Sequence, residues 1–437
     1  MQLKSTRAFP VNARRRLIAA SCALLGAAAA RGQEAAPAHA KGGLLEDWSA
    51  DSALAYYRED GRIQAIEPVV SVSKVFADGQ TLSINATFDS LSGSSPNGAL
   101  TSHVAQTFST PSGKLSHEYT IAPGILPVDP HYADTRGAVG GTWTLPVTRV
   151  DTLSLGAKVS GEDDFVSVTV DASFARDFNE KNTTLSLGIS NEYDSLSPIG
   201  GAPVPGSGYA LAEKAGGKSK DGVGLLLGVT QIMTHDWLSQ LNLSIDRFKG
   251  YLDDPYKITS ILDNAGTPIG YQYENRPDQR TRRSAYWDNR ITWSARLSTA
   301  MSLRYMTDSW RVHSDTALLR LRWSFSDRSQ YLEPNVRWYR QTAADFYTPF
   351  IVSAENAPIS GYESSDFRLS AFRAITYGLK YAVKLRGIAG RDDSEFSVRA
   401  EYYQQTINAR IAAPAGLQGL DLYPGLKAIL VQVGWRF

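Results

Sequence analysis

The residues best suited to bind or select a solute are charged side chains two positions apart in the C-terminal half of the chain. Pairs such as Asp288 and Arg290 alternate with apolar residues. In a β-strand this spacing places the charges on one face. The set sharing that face is Asp288, Arg290, Arg304, Asp308, Arg320, Arg322, Glu333, Arg337, Lys380, Lys384, Arg399 and Glu401. We expect them to line an aqueous interior, where they set a field that selects small charged solutes, form salt bridges that stiffen the wall, or do both.

The corresponding positions of the N-terminal half carry mostly small residues. They are Ser71, Ser73, Ser83, Thr87, Ser154, Gly156, Ser167, Thr169, Ser186, Gly188 and Ser190. Small side chains leave space beside a charged wall, which suits a selective channel. A second interpretation is that these residue types simply tolerate the pleat of a strand.

Other candidate chemistry is weak. His103, His117 and His131 fall in a predicted loop of about 91–136, but their separations are too long for a metal motif. The sequence contains no Gly-x-Ser-x-Gly, His-Glu-x-x-His or phosphate-binding glycine motif. We therefore predict no metal, no cofactor and no catalytic residue. A hydrolase embedded in a barrel remains a remote alternative.

Composition and the N-terminus narrow the class of protein. A net charge of +1 argues against nucleic-acid binding. Residues 1–30 have the basic start and short apolar core of a secretion signal, with cleavage between about 30 and 40. The single cysteine, Cys22, lies inside that signal. We divide the chain into the signal at 1–30, a flexible segment at 31–50 and a barrel at 51–437.

The element that must position the charges is a β-strand, repeated many times. Segments of roughly ten residues alternate between apolar and polar positions throughout the chain, as barrel strands tilted across a bilayer do. Short links alternate with long ones near 91–136, 194–221, 249–281, 344–370 and 408–424. The pattern predicts an all-β fold, a transmembrane antiparallel up-and-down barrel of about sixteen strands with short periplasmic turns and long extracellular loops.

The last strand carries an additional signal. Phe437, Trp435 and Val433 place apolar residues at alternate positions up to the C-terminus. Such an ending is similar to the signal recognised by the outer-membrane assembly machinery, so we expect Trp435 and Phe437 to guide assembly. Other tryptophans at predicted strand ends, including Trp143 and Trp293, are expected to form an aromatic girdle.

Several longer motifs resemble the uncharacterised outer-membrane barrel family catalogued as domain of unknown function 3570 (DUF3570). Among them are Ser95-Pro96-Asn97-Gly98-Ala99, Asp254-Pro255-Tyr256-Lys257, Tyr273-Glu274-Asn275-Arg276-Pro277-Asp278, Arg304-Tyr305-Met306-Thr307-Asp308 and the stretches 175–179 and 339–347. The resemblance covers nearly all of the mature chain and implies an outer-membrane location and a barrel fold. It carries over no reaction. It does mark Asp254, Tyr256, Lys257, Glu274, Arg276 and Asp278 as a motif-bearing loop.

Two functions therefore stay open at this point. The first is a channel for small polar or charged solutes. The second is a non-conducting barrel that anchors or assembles an exported protein system, such as a redox system. We expect outer-membrane lipid to surround the barrel in either case. The two functions are distinguished by whether the loops near 91–136 and 249–281 fold into the lumen or stand above it.

Overall fold

A computed structural model describes residues 47–109, 118–210, 213–353, 361–385, 394–408, 414–423 and 425–437. The predicted signal at 1–30 and His117 lie outside these ranges. In chain order the strands are β1 (Trp48–Glu59), β2 (Ile63–Val75), β3 (Thr81–Pro96), β4 (Gln106–Ser109), β5 (Glu118–Ile121), β6 (Val128–Pro146), β7 (Asp151–Gly161), β8 (Phe165–Phe178), β9 (Thr183–Leu196), β10 (Ala202–Pro203), β11 (Lys214–Ala215), β12 (Lys218–Thr234), β13 (Trp237–Gly250), β14 (Ile258–Leu262), β15 (Pro268–Tyr273), β16 (Gln279–Ser294), β17 (Leu297–Asp308), β18 (His313–Phe325), β19 (Gln330–Gln341), β20 (Phe350–Val352), β21 (Phe372–Leu385), β22 (Ser394–Ile407) and β23 (Leu426–Arg436).

The long strands form one closed antiparallel barrel of 16 strands, which confirms the predicted fold class. Their order is β1-β2-β3-β6-β7-β8-β9-β12-β13-β16-β17-β18-β19-β21-β22-β23. Closure is made by β1 and β23, whose register runs from Asp51 opposite Arg436 to Glu59 opposite Ala428. A closed sheet leaves no unpaired edge. Because the number of strands is even, the start of β1 and the end of β23 lie on the same side of the membrane. No helix among the described residues is long and apolar enough to span a bilayer.

The two faces of the barrel wall differ sharply in chemistry. On β12, for example, Val223, Leu225, Leu227 and Val229 point outward and are exposed, while the residues between them point inward. The same alternation places exposed large apolar side chains outward around the whole barrel. Such a surface is stable only against lipid, so the barrel lies in the outer membrane.

Aromatic residues mark both edges of this apolar band. Trp143, Trp293 and Trp323 are exposed at strand ends beside short turns. Tyr193 and Trp338 lie toward the other ends of β9 and β19, away from the short turns, and are exposed on the outward face of the barrel. Aromatic rings at both levels are typical of the two interfaces of an outer-membrane barrel.

The C-terminal residues complete the barrel at its periplasmic end. The backbone of Phe437 exchanges two hydrogen bonds of 2.9 Å with Ala50, and its ring lies 5.1 Å from that of Trp435. The role of Trp435 and Phe437 in assembly stays a prediction.

The longest links all lie at the extracellular end of the barrel, as predicted. At one end the described links are short, at 76–80, 147–150, 179–182, 235–236, 295–296 and 326–329. The long extracellular links are 97–127, 197–217, 251–278, 342–371 and 408–425. Three further extracellular links, 60–62, 162–164 and 309–312, are also short.

The strands extend further toward the extracellular side than their alternation predicts. β3 and β6 stay paired as far as Pro96 opposite Val128, so the expected loop of about 91–136 shrinks to 97–127. His131 consequently lies in β6 and not in a loop. Above the apolar band a strand needs no apolar outward residues, so periodicity underestimates its length.

We expect Leu227→Arg to lower the free energy of unfolding by about 2–4 kcal/mol, because a guanidinium near the bilayer midplane loses its hydration. Urea titration of the protein in lipid vesicles, read by heat-modifiable migration on gels, measures the change. Met233→Arg, beside the periplasmic turn, is the control and should cost only about 0–1 kcal/mol. An equal loss in both variants would contradict this placement of the band.

Candidate functional site: a charged barrel wall beneath an extracellular cap

The strand register places every charged residue predicted for the C-terminal half on the inward face. Tyr286 lies opposite Arg304, Asn335 opposite Arg320 and Glu333 opposite Lys380, while exposed residues such as Leu303 occupy the alternate outward positions. The inward set is Asp288, Arg290, Arg304, Asp308, Arg320, Arg322, Glu333, Arg337, Lys380, Lys384, Arg399 and Glu401.

Carboxylates hold some of these basic groups in place. The salt bridges are Arg290–Asp288 at 3.2 Å, Arg322–Glu333 at 2.8 Å, Lys380–Glu395 at 3.3 Å and Arg399–Glu401 at 3.7 Å, and Arg280 Nε donates to Asp308 at 2.7 Å. Most of the carboxylates concerned are buried or largely buried. Part of the charged wall is therefore a set of ion pairs that fix side-chain positions.

Three inward arginines differ from the rest, and we call Arg304, Arg320 and Arg337 the arginine cluster. Within the described chain, none of them forms a salt bridge with a carboxylate. Arg337 lies within electrostatic range of Arg304, Arg320 and Glu401, and Arg304 also lies within range of Asp246. The Nε atom of Arg304 is buried without a hydrogen-bond partner among the described residues. The like charges repel one another, and the two carboxylates offset part of that repulsion.

The N-terminal wall is less neutral than its small residues predict. Glu67, Asp89, Asp177, Glu192 and Asp194 are buried on the inward face, among the predicted serines, threonines and glycines. Asp89 pairs with Arg136, and Asp194 forms a 3.1 Å salt bridge with Lys220. The alternation that revealed the serines contains these charged residues as well, so the prediction of a neutral wall was incomplete. Acids and bases therefore occur on both halves of the inward face.

The five long extracellular links fold together into a structure that we call the cap. β14, β15 and β20 pair in a three-stranded sheet built from links 251–278 and 342–371. Leu100, Leu262, Phe350 and Leu417 share a buried apolar cluster, although each comes from a different link. A barrel of this size is about 30 Å across. Because the links start at separate points around that rim, they meet only by crossing the mouth.

The cap is seated on the barrel rim by a second apolar cluster. Phe248, on the inward face of β13, packs in one cluster with Leu252, Trp310 and Leu369. Met306, inward on β17, packs against them. Phe108, Tyr119, Ile258 and Tyr273 form a third cluster that joins links 97–127 and 251–278. The links that correspond to the predicted loops of about 91–136 and 249–281 thus pack against each other.

A buried ion cluster ties link 251–278 to link 342–371. Arg276 contacts Glu274 at 2.6 Å and Asp366 at 3.0 Å. Arg368 contacts Asp366 at 2.6 Å and Asp254 at 2.9 Å. All five residues are buried or largely buried. We call these five residues the ion cluster. Buried charges of this kind are stable only when every partner is present.

The motif-bearing loop supplies much of this cluster. Asp254, Glu274 and Arg276 belong to it directly. Lys257 is buried and donates to the carbonyl of Pro96, while the Tyr256 hydroxyl donates to Asp164 at another link. The side chain of Asp278 stays exposed, and its carbonyl accepts a 2.9 Å bond from Gly250.

Sequence reasoning missed the other half of the cluster, because Asp366 lies 90 residues from Arg276. Their only sequence signal is the charged stretch 363–368 itself. The histidines do not converge. His103 contacts the carbonyl of Gln418 at 3.1 Å, and no group of three or more metal-ligating side chains occurs among the described residues.

Burial changes the pKa values of several acidic side chains in the cap. It raises the pKa of Glu274 from 4.5 to about 8, despite the opposing charge of Arg276. Burial likewise raises the pKa of Glu363 to about 7 and that of Asp253 to about 6. Asp366 behaves oppositely, since Arg368 and Arg276 outweigh its burial and hold its pKa below the usual range.

The family described as "Protein of unknown function (DUF3570)" matches residues 14–437. The siderophore receptor PirA from Pseudomonas aeruginosa is 8% identical, with a TM-score of 0.41 over 89% of this chain and 61% of the receptor. OccK2 (OpdF) from Pseudomonas aeruginosa is 10% identical, with a TM-score of 0.39 over 89% of this chain and 97% of OccK2. A BenF-like porin from Pseudomonas fluorescens Pf-5 is 9% identical, with a TM-score of 0.38 over 90% of this chain and 100% of the porin. The chain spans 61% of the length of PirA. No curated protein matches.

We expect the cap to close most firmly near pH 4–5 and to loosen as pH rises toward 8. A carboxyl whose pKa is raised on burial stabilises the closed cap below its ordinary value, and that stability is lost as pH rises through the raised value. Glu274, Glu363 and Asp253 all act in this direction. Asp366 opposes it only below its usual titration range.

Hydrogen exchange of amides in 251–278 and 361–370, corrected for intrinsic rates, measures cap closure between pH 5 and 8. Glu274→Gln keeps the shape of the side chain and should remove the part of the pH dependence between about pH 7 and 8, while the part from Glu363 and Asp253 persists at lower pH. Protection that rises with pH in the unmodified protein would contradict the assignment.

Proposed function

The chain belongs to the DUF3570 family, and we propose that its barrel is a gated channel for small anionic solutes. The single observation that carries the proposal is the arginine cluster on the inward face. Arg304, Arg320 and Arg337 are near one another and lack carboxylate partners among the described residues. Their mutual repulsion costs stability that a passing anion would offset.

The surroundings of the arginine cluster favour a solute with an organic body. Tyr286 and Tyr339 lie within electrostatic range of Arg304, and Tyr339 also lies within range of Arg337. Tyrosine rings beside guanidinium groups offer apolar contact next to an anion site. Inward carboxylates on both halves of the barrel, such as Glu333 and Asp194, disfavour a second negative charge. A compact organic monoanion or a zwitterion therefore suits this interior better than a polyanion.

The proposal requires the cap to open. Its links cross the mouth and hold one another through apolar clusters and the ion cluster. Conduction then depends on an equilibrium between closed and open arrangements of the cap. The ion cluster is the natural latch, because it joins two links through charges that are stable only together.

The route to the membrane is part of the same proposal. The segment 1–30 would direct export, and Trp435 with Phe437 would engage the assembly machinery. Outer-membrane lipid would then surround the apolar band. We assign no catalytic residue and no cofactor to the barrel.

A second candidate function has its own support. A cap that spans the mouth and carries its own apolar clusters suits a barrel that anchors an exported protein and conducts nothing. In that case the cap would be a docking surface and the charged wall a stiffening element.

The first test is single-channel conductance of the refolded mature protein in planar bilayers. We expect brief, salt-dependent openings with a preference for anions. Arg320→Glu combined with Arg337→Glu should move the anion-to-cation permeability ratio toward cations by about tenfold, since reversing two charges changes the local potential by a few kT. Arg247→Glu, on the outward face of β13, is the control and should leave the ratio unchanged.

A folded, heat-modifiable barrel that never conducts would refute the channel and favour the anchor. Openings whose selectivity ignores Arg320 and Arg337 would refute the role of the arginine cluster alone.

The latch is tested separately. Arg276→Met leaves the buried Asp366 without one of its two cations, and breaking a buried ion pair typically costs about 3–5 kcal/mol. We expect the fraction of time in the open state to rise markedly. Arg311→Met removes an exposed pair with Asp345 at the cap edge, worth at most about 1 kcal/mol, and should change little. Equal gating in the two variants would exclude the ion cluster as the latch.

A further inference from the structure

A cleft of about 840 Å³ opens on the outer surface of the protein, apart from the barrel interior. Its floor is formed where the extracellular ends of β9, β12 and β13 meet the cap. The lining includes Tyr193, Tyr251, Asp253, Asn275, Asp278 and Tyr362. Tyr193 belongs to the outward face of β9, so the cleft faces the surroundings of the barrel and not its interior.

The chain is held in a specific shape at this floor. Gly250 has a φ of +118°, and a Cβ there would lie 2.4 Å from the carbonyl oxygen of Ser219. Only glycine fits such a position. The amide of Gly250 donates to the Asp278 carbonyl at 2.9 Å, and that of Tyr251 donates to the Ser219 carbonyl at 3.0 Å. The turn therefore fixes Tyr251 and the residues after it before any ligand arrives.

The polar groups of the cleft are fixed in the same way. The amide of Arg276 donates to Asp253 at 2.6 Å. Asn275 is bound through its backbone to Glu363, with N to O distances of 2.9 and 2.8 Å. By contrast the rings of Tyr193 and Tyr362 are 49% and 58% exposed, and the Asp278 side chain is exposed as well. Fixed acceptors beside exposed aromatic faces make a preorganised polar and aromatic site.

We propose that this cleft binds a saccharide. Tyrosine rings pack against the C–H faces of a sugar, and carboxylate and amide oxygens accept hydrogen bonds from its hydroxyls. The lining holds both acids, Asp253 and Asp278, and a base, Lys218, so ring packing and hydrogen bonding select the ligand more than net charge does. The Arg276 guanidinium is not open to the ligand, because it is buried between Glu274 and Asp366.

The position of the cleft gives the saccharide two sources. Tyr193 stands at the extracellular edge of the apolar band, where the sugar headgroups of outer-leaflet glycolipids lie beside the barrel. A free oligosaccharide in the medium presents the same hydroxyls and the same C–H faces. Both satisfy the site, and the arms of the experiment separate them. The proposal is independent of conduction, so neither failure implies the other.

The test measures binding of two free probes, maltotetraose and dephosphorylated lipopolysaccharide core oligosaccharide, to the detergent-solubilised full chain by titration calorimetry. We expect Tyr362→Ala and Asp278→Asn each to weaken binding of at least one probe by about tenfold. Asp345→Asn removes another exposed carboxylate of the cap and is the control, with no expected change.

A membrane arm compares unfolding midpoints in nanodiscs with and without lipopolysaccharide. A midpoint raised by lipopolysaccharide in the unmodified chain, but not in Tyr362→Ala, assigns the site to the glycolipid. Binding of a free probe with no such rise assigns it to a soluble saccharide. Absence of binding in every arm, or equal binding by Tyr362→Ala, Asp278→Asn and the unmodified chain, overturns the proposal.

Discussion

The hydrocarbon core of a membrane offers the peptide backbone no hydrogen-bond partner, and the rest of this structure depends on that lack. A chain that crosses by strands must pair every strand on both sides, so β1 and β23 have to meet. Closure of 16 strands in turn produces one lipid-facing surface and one interior. The outward positions are committed to apolar residues. Polar and charged chemistry is left to the inward positions and to the links beyond the bilayer.

The charged side chains of the inward wall and those of the links are stabilised in different ways. On the inward wall, acids and bases occur on both halves of the barrel, and several of them form salt bridges with neighbours on the same strand or an adjacent one. Arg304, Arg320 and Arg337 form no salt bridge within the described chain. In the cap the charges are instead buried together, with Arg276 and Arg368 shared among acids from two links. The charged wall and the cap are thus built from the same residue types in different surroundings.

The cap also shows how long loops become ordered without long regular elements. Leu100, Leu262, Phe350 and Leu417 bury one another across the mouth, and the short sheet of β14, β15 and β20 satisfies the backbone there. Desolvation then gives the enclosed carboxyls raised pKa values, as for Glu274 at about 8. Apolar packing and proton binding are therefore linked in this part of the molecule. The outer cleft lies against the same links, with Asp253 bonded to the backbone of Arg276.

The sequence by itself determined the barrel, because alternation is a local property that survives without knowledge of partners. The period of two identified the strands, their faces, their number and the end that carries the long links, and it placed Arg320 and Glu333 on one face. Only the tertiary structure decided how far the strands continue above the membrane, since β6 needs no apolar pattern there. It alone decided which charges meet. Arg276 and Asp366 are 90 residues apart, and nothing periodic connects them. Their pairing follows from the way separate loops fold across one opening, a choice made by packing and desolvation between links and not within any of them.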